Sequence, residues 1–197
     1  MKKAIYGAGG FSRDIIAMTR FKDIRLFVDD EYWKNDRSNV LPLSKFDPFE
    51  YEMILSVSNP QFRENMVNRL PKETKFWSFI HPTALLEDPE YIEFGEGLVL
   101  SAYGILVCNS KIGRHAQLNW NTVIGHDSSA GDFFTTGPGA NIAGDCLFGN
   151  RVHLGMNSSV KEKVWICDDV TIGMGAVVVK NINEPGTYVG VPAKKIK

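Results

Sequence analysis

Cysteine and net charge are both scarce in this chain of 197 residues, and each scarcity excludes a class of protein. The three cysteines, Cys108, Cys146 and Cys167, are an odd number without the spacing of metal ligands. They indicate small apolar side chains in a reducing compartment rather than a disulfide framework. Acidic and basic residues nearly cancel, to a net charge of −1. We therefore expect no electrostatic surface for nucleic acid or for an anionic membrane.

Long apolar runs are also missing, since no stretch has the length of a bilayer span. Met1, Lys2 and Lys3 lead directly into the first predicted strand instead of into the apolar segment of a signal peptide. The sequence therefore predicts a cytoplasmic protein without membrane insertion.

A period of six residues runs through the second half of the chain. From Ile112 to Val178 every sixth place is apolar or small, and the place after it is usually glycine. Such a period is typical of a solenoid in which each short strand forms one side of a triangular coil, with glycine turning the corners at positive φ. Three hexads make one coil, so residues eighteen apart stack at about 4.8 Å. The predicted inward columns are Leu118, Thr136, Leu154 and Ile172; Ile124, Ile142, Val160 and Val178; and Ile112, Ala130, Phe148 and Ile166.

The first eighty residues lack this period and indicate a small parallel α/β unit of Rossmann-like type. Strands are predicted over 2–6, 24–28, 51–57 and 75–80, and helices over 12–19 and 61–70. The fold class is accordingly an α/β domain over residues 1–80 followed by an all-β solenoid domain over 81–197.

Ligands of parallel α/β units bind at the carboxyl ends of the strands. The residues predicted there are Gly7, Gly9, Gly10, Asp29, Asp30, Ser58 and Asn59. The glycine turn matches G-x-G-x-x-G only in part, because Ser12 stands in the third glycine place, and Asp29 follows at the distance of a ribose-binding acid. Since the chain has room for one such half, a ligand of mononucleotide size is favoured over a dinucleotide. A tight turn that binds no ligand stays open as the alternative.

Three segments carry a resemblance to a known family: residues Leu118 to Asp127, residues Gly137 to Ala140, and the carboxyl-terminal residues Gly190 to Lys194. With the six-residue repeat, they resemble the left-handed β-helix acyltransferases. With the α/β domain in front, the chain is similar to the bacterial nucleotide-sugar N-acetyltransferases of the PglD and NeuD type.

The resemblance implies a homotrimeric enzyme that uses acetyl-CoA, with active sites between neighbouring subunits. Its substrate would be a UDP-linked 4-amino-4,6-dideoxy sugar whose nucleotide lies in the α/β domain. His126 matches the family's general base, Asp127 the acid that orients it, and Asn119 an asparagine near the reacting amine. The expected CoA contacts are Gly144, Ile172, Gly173, Pro192 and Lys194.

The stacking period adds one assignment, because Gly144 lies eighteen residues beyond His126 and thus one coil above it. With no side chain there, CoA could approach, and the backbone N–H of Gly144 could stabilise the oxyanion.

Two departures from the family pattern are expected to matter. Thr135 stands where some members carry a second histidine, and Phe11 and Ser12 end a glycine turn that often reads G-x-S-G-H-G in the family.

Three alternatives stay open. The same base would serve a sialic-acid type O-acetyltransferase. A zinc enzyme of the solenoid carbonic-anhydrase type is disfavoured, and no metal is predicted, because no nearby trio among His81, His115, His126 and His153 has ligand spacing. A trimer that only binds nucleotide is the third.

Overall fold

The computed structural model describes all residues from Met1 to Lys197 and consists of an α/β domain followed by a left-handed parallel β-helix. The α/β domain has a parallel five-stranded sheet in the order β3-β2-β1-β4-β5. Its strands are β1 (Lys2–Tyr6), β2 (Arg25–Val28), β3 (Val40–Pro42), β4 (Tyr51–Leu55) and β5 (Lys75–Phe76), and its helices are α1 (Gly10–Thr19) and α2 (Pro60–Arg69). Short 3₁₀ turns occupy Asp30–Tyr32, Leu43–Lys45 and Pro89–Tyr91. Neither helix is long and apolar enough to cross a membrane.

Two details of this domain differ from the sequence prediction. The edge strand β3 was not predicted, because three residues ending in a proline are too short for a periodic signal. The single strand predicted over 75–80 is two strands. Lys75–Phe76 pairs with β4 of the α/β sheet, whereas Phe79–Ile80 pairs with Val99–Leu100 of the β-helix.

The β-helix has three faces of parallel strands, and consecutive strands occupy successive faces from Phe79–Ile80 to Val177–Val178. Face 1 consists of Phe79–Ile80, Val99–Leu100, Gln117–Leu118, Thr135–Thr136, His153–Leu154, Val170–Ile172, Gly186–Val189 and the antiparallel Lys194–Lys195. Face 2 consists of Leu85–Leu86, Ile105–Leu106, Val123–Ile124, Asn141–Ile142, Ser159–Val160 and Val177–Val178. Face 3 consists of Glu93–Phe94, Lys111–Ile112, Ser129–Ala130, Leu147–Phe148 and Trp165–Ile166.

The predicted inward columns are confirmed by the strand register. Leu118 pairs with Thr136, Thr136 with Leu154 and Leu154 with Ile172, each eighteen residues apart. All members of the three columns are buried, and their apolar side chains fill the prism. Thr136 is the polar member, and its hydroxyl hydrogen-bonds the hydroxyl of Thr122 at 2.7 Å inside the prism.

The glycines after each strand do not turn the corners by positive φ, so that part of the prediction is wrong. Positive φ lies two residues later, for example at Asn121 (φ 56°) and Asp127 (φ 57°). The glycines are required because successive coils approach closely there. A Cβ on Gly113 would lie 2.5 Å from the carbonyl carbon of Gly131, and one on Gly125 would lie 2.6 Å from that of Ala143.

Face 1 packs against the α/β domain through a buried arginine of α2. Arg63 is completely buried and has no carboxylate partner. Its guanidinium donates to main-chain carbonyls and one hydroxyl on both sides of the domain interface. The acceptors are the carbonyl oxygens of His115 (2.9 Å), Val57 (2.8 Å), Ser58 (3.2 Å), Phe133 (2.6 Å) and Phe134 (3.3 Å) and the hydroxyl of Thr135 (2.7 Å). Burial lowers the pKa of Arg63 to about 9.

A second buried titratable residue, His115, lies in the same interface. Its ring packs edge-on against Phe76 at 4.5 Å and stacks on Phe133 at 5.2 Å. Both ring nitrogens are buried without a hydrogen-bond partner. Burial, with smaller contributions from the positive charges of Arg114 and Arg63, lowers the pKa of His115 to about 4. The imidazole is therefore neutral in the folded protein at neutral pH.

We predict that His115 makes the protein sensitive to mild acid. The unfolded state takes up the proton near pH 6.5 and the folded state only near pH 4, so stability falls as the pH drops through this window, by up to about 3 kcal/mol. His115→Phe should flatten this dependence. Phenylalanine suits the position because Phe133 adopts the same positive φ one coil on. Urea unfolding at several pH values measures the effect, and an unchanged pH slope in the variant would contradict the prediction.

Candidate active site

His126 stands at the corner between face 2 and face 3, where its side chain is exposed. Its Nδ1 lies 2.8 Å from Oδ2 of Asp127. The other oxygen of that carboxylate accepts a hydrogen bond from the Nδ2 of Asn109 at 2.9 Å. The hydrogen bonds from His126 and then from Asn109 lower the pKa of Asp127. A carboxylate held in this way fixes the Nδ1–H tautomer, which leaves the lone pair on Nε2 free.

Gly144 lies directly against the imidazole of His126. A Cβ on Gly144 would lie 2.4 Å from Nε2 and 2.5 Å from Cε1 of the ring. The absence of a side chain therefore makes room first for His126 itself. The backbone N–H of Gly144 donates to no protein acceptor, whereas its carbonyl accepts from the N–H of Lys163 at 3.1 Å. Gly144, whose backbone N–H is unpaired, thus lies in close contact with the imidazole of His126 at this corner.

Sequence reasoning missed two polar neighbours of His126. Asn109 is eighteen residues before Asp127, and Asp145 is eighteen after it, so the stacking period that identified Gly144 also gives both. His126, Asp127 and Asp145 each offer one ligand atom within 4.8 Å of the others. The structure therefore brings together one histidine and two carboxylates, a group that the comparison of histidine positions for a zinc site did not find. All three side chains are exposed.

A cleft of about 510 Å³ lies at the carboxyl ends of the α/β strands, where the sequence predicts a ligand. Gly7 and Asp29 line it, as predicted. Asp29 accepts a hydrogen bond from the hydroxyl of Tyr6 and pairs with Arg69 at 2.9 Å. Burial and then the bond to Asp29 raise the pKa of Tyr6 above its ordinary value. Residues that sequence reasoning missed complete the lining: Tyr6, Ala8, Val28, Glu31, Tyr32, Val57, Phe62, Asn65, Met66 and Arg69.

Other predicted ligand residues stabilise the local chain instead. Asp30 accepts a hydrogen bond from the backbone N–H of Ser44 at 3.0 Å, and hydrogen bonding by the side chain and then by the backbone of Ser44 lowers the pKa of Asp30. Asn59 is the N-cap of α2 and accepts from the N–H of Phe62 at 3.0 Å. Neither side chain lines the cleft. Gly9 is the N-cap of α1, and a Cβ there would meet no atom within 4 Å.

A second cleft, of about 320 Å³, lies between the α/β domain and face 1 and brings together three predicted residues: Gly10, Ser58 and Asn119. Asn119 is buried, and its Nδ2 donates to the carbonyl of Thr136 at 2.7 Å. Asn119 does not adopt positive φ, and that conformation belongs to Asn121 two residues later. Phe11, Asp14, Trp120, Thr135, Thr136, Gly137, Pro138 and His153 also line this interdomain cleft.

The departure at Thr135 has a structural explanation. The Thr135 hydroxyl accepts from Arg63 at 2.7 Å and lies 3.3 Å from the carbonyl of Ser58. A histidine at this position would have to displace those contacts. The next residue in the same register is His153, and burial lowers its pKa, with a smaller effect from the charge of Arg63.

Only some of the residues expected to contact CoA are accessible to a ligand. Ile172 is completely buried in the prism, so its side chain is closed to any ligand, and a Cβ on Gly173 would lie 2.7 Å from Val189. Pro192 and Lys194 line a cleft of about 380 Å³ at the carboxyl end of the β-helix, together with Lys180 and Lys195. Lys195 pairs with Glu184 at 2.9 Å.

The comparisons with known proteins agree with this architecture. The family model for the PglD N-terminal domain matches residues 2–70. GDP-perosamine N-acetyltransferase of Escherichia coli O157:H7 is 31% identical over 175 residues, which cover 81% of this chain and 78% of that protein. The chain belongs to the hexapeptide-repeat family of nucleotide-sugar N-acetyltransferases. As a member of this family it is an acetyltransferase, and the enzyme class predicted from the sequence is confirmed.

Two solved structures have the same fold over the whole chain. PerB from Caulobacter crescentus, in complex with CoA and GDP-perosamine, has a TM-score of 0.89 at 24% identity and covers 100% of this chain and 98% of its own. The acetyltransferase domain of PglB from Neisseria gonorrhoeae, in complex with acetyl coenzyme A, has a TM-score of 0.88 at 23% identity and covers 99% and 98%. The predicted fold class is confirmed, and the ligands of both neighbours agree with the predicted acetyl donor.

We predict that Gly144→Ala abolishes most turnover without unfolding the protein. The new methyl group would occupy the space of the imidazole, because its carbon would lie 2.4 Å from Nε2 of His126. We expect a loss of about 10²- to 10⁴-fold in kcat, as large as that for His126→Ala. Glu162→Ala, at the same corner position one coil further, is the matched control. Steady-state kinetics with circular dichroism tests this, and near-normal turnover of Gly144→Ala or of His126→Ala would contradict it.

Proposed function

We propose that the enzyme transfers an acetyl group from acetyl-CoA to the amino group of a GDP-linked amino sugar. The reacting nitrogen is the 4-amino group of a 4-amino-4,6-dideoxy sugar. The observation that carries the proposal is the close contact between the imidazole of the His126–Asp127 pair and Gly144, whose backbone N–H is unpaired. Nε2 of His126 can remove a proton, and the N–H of Gly144 can stabilise an oxyanion, within one small region of the surface.

His126 acts as the general base. The amine nitrogen attacks the thioester carbonyl carbon, and its proton passes to Nε2 as the C–N bond forms. Asp127 supports the imidazolium through the 2.8 Å contact to Nδ1, and Asn109 holds that carboxylate in place. The C–S bond then breaks, and the proton on Nε2 is available to the departing thiolate. Each step uses a group that the fold itself orients.

The N–H of Gly144 stabilises the tetrahedral oxyanion. It has no acceptor within the chain, so it loses no protein hydrogen bond when it donates to the substrate. The equivalent N–H of Glu162, one coil on, likewise donates to no main-chain carbonyl, so the lack of a main-chain acceptor is shared by both residues at this corner. The distinguishing feature is the position beside His126.

The nucleotide lies in the 510 Å³ cleft of the α/β domain. Tyr32 and Phe62 are exposed aromatic side chains in its wall and suit stacking on a base. Arg69 pairs with Asp29 through Nη1 and supplies positive charge for a diphosphate through its remaining N–H groups. The UDP-linked substrate implied by the resemblance is replaced here by a GDP-linked one, because the relative that identifies the family is named for a GDP sugar.

The position of His126 on the prism supports assembly as a homotrimer. The α/β domain covers face 1, whereas His126 occupies the corner between faces 2 and 3, which is the corner opposite face 1. The body of the prism therefore separates each nucleotide cleft from the His126 of the same chain. We infer that the general base His126 comes from a neighbouring subunit. In a closed ring of three copies, every nucleotide cleft then has a His126 from the adjacent copy.

Acetyl-CoA lies between neighbouring prisms, with its thioester at His126 and Gly144. The cleft that contains Lys194 at the carboxyl end of the β-helix suits the phosphates of its nucleotide end. Lys194 is the better candidate of the two terminal lysines, because Lys195 already pairs with Glu184.

The substrate prediction is tested with acetyl-CoA and amino sugars linked to GDP, UDP and dTDP, by measuring the release of free thiol. We expect turnover with the GDP-linked 4-amino sugar and at least about tenfold lower kcat/KM with UDP or dTDP, since a pyrimidine offers less area than a purine for stacking on Tyr32 and Phe62. Mass spectrometry of the product distinguishes N- from O-acetylation. Turnover only with a hydroxyl acceptor would contradict the proposal and favour a sugar O-acetyltransferase.

The shared site is tested by mixing two inactive variants, His126→Ala and Arg69→Glu, after joint refolding. If His126 and the nucleotide cleft of one site come from different subunits, random mixing restores about one quarter of the wild-type activity. About one site in four then combines an intact His126 from one subunit with an intact cleft from its neighbour. Refolding of each variant alone is the control. No restored activity in trimers that contain both variants would contradict a site between subunits.

A further inference from the structure

The hydrogen bonds of Arg63 join residues from both clefts. Val57 lines the nucleotide cleft, whereas Ser58 and Thr135 line the interdomain cleft. Nη1 of Arg63 donates to the carbonyls of Val57 and Ser58, and Nη2 donates to Thr135. The buried side chain of Arg63 therefore joins the loop at residues 57–58, between β4 and α2, to Thr135 of the β-helix.

The helix that carries Arg63 has two different sides. Phe62, Asn65, Met66 and Arg69 of α2 line the nucleotide cleft. Glu64, beside Arg63, contacts the β-helix through Arg151 at 3.3 Å. Helix α2 is therefore a wall of the nucleotide cleft that is attached directly to the β-helix.

An arginine suits this task better than any other residue. Its planar guanidinium offers five N–H donors in fixed directions, and here they reach six acceptors on three chain segments. The group is completely buried, so water cannot replace a lost acceptor cheaply. A displacement of the loop relative to the β-helix would break several of these bonds together.

We infer that Arg63 is a positioning residue that fixes the distance between the nucleotide cleft and the interdomain cleft, so that a nucleotide-linked sugar spans both in one geometry. The inference rests on the proposed function, because only a substrate with a nucleotide part and a sugar part occupies both clefts. Free GDP occupies the nucleotide cleft alone. Loss of Arg63 should therefore affect the linked substrate and spare the free nucleotide.

The test compares Arg63→Lys and Arg63→Gln with the wild-type enzyme. We expect kcat/KM for the GDP-linked amino sugar to fall by about 10- to 100-fold, the scale of a misplaced reacting group. The Kd for GDP and the KM for acetyl-CoA should stay within about twofold, and Arg63→Lys should retain more activity than Arg63→Gln, since it keeps the charge and some donors. A parallel loss of GDP affinity, or an unchanged kcat/KM in both folded variants, would overturn the inference.

A milder pair of variants keeps the test decisive if Arg63 variants do not fold. Thr135→Val removes one acceptor of the guanidinium, whereas Thr171→Val changes an exposed threonine two coils further on the same face. We expect a smaller fall in kcat/KM, about three- to tenfold, for Thr135→Val only. Equal effects of the two substitutions would overturn the inference.

Hydrogen exchange separates this inference from the proposed function, because it needs no substrate. Amides of residues 56–59 should exchange faster in Arg63→Lys and Thr135→Val than in the wild type or in Thr171→Val. Unchanged exchange would overturn the positioning role, whatever the reaction. Conversely, a wild-type enzyme that acetylates no nucleotide sugar would contradict the proposed function and leave the exchange result standing.

Discussion

Hydrogen bonding between consecutive coils is the constraint on which the rest of this structure depends. Each strand pairs in parallel with the strand one coil away, at a separation of eighteen residues through most of the solenoid. A slip of one residue would turn every inward side chain outward, so the register is fixed by the burial of the prism core. The contact of His126 with Gly144 and that of Asn109 with Asp127 are both consequences of this register. Catalytic geometry is thus set by the same period that folds the domain.

The period also decided what could be predicted from the sequence. The inward columns and the neighbourhood of His126 follow from counting in steps of six and eighteen, and Asn109 was within reach of the same arithmetic. The corner glycines were assigned correctly but for the wrong reason. Both positive φ and close approach of two backbones favour glycine, and the sequence does not distinguish the two causes. Only the positions of the neighbouring atoms do so.

Predictions in the α/β domain were less complete because polar residues there have competing roles. Asp30 and Asn59 follow strands, as ligand-binding residues do, yet they bond to nearby backbone N–H groups. Aspartate and asparagine do this readily at turns and helix starts. Arg63 was missed for another reason, since its acceptors on the β-helix lie 52 to 72 residues away and no local pattern marks them. Contacts of that range come from the packing of two domains, which no periodicity encodes.

The reversed strand at the carboxyl end has a consequence for solubility. A solenoid with a bare last coil presents a row of unpaired N–H and C=O groups, and another copy could stack on it and extend the coil into a filament. In this protein Lys194–Lys195 runs antiparallel to Gly186–Val189, and Ala193 and Gly190 bond back to Val177. The chain thereby folds across its own terminal coil with charged side chains outward. Growth along the solenoid axis is blocked, and association is directed to the sides of the prism.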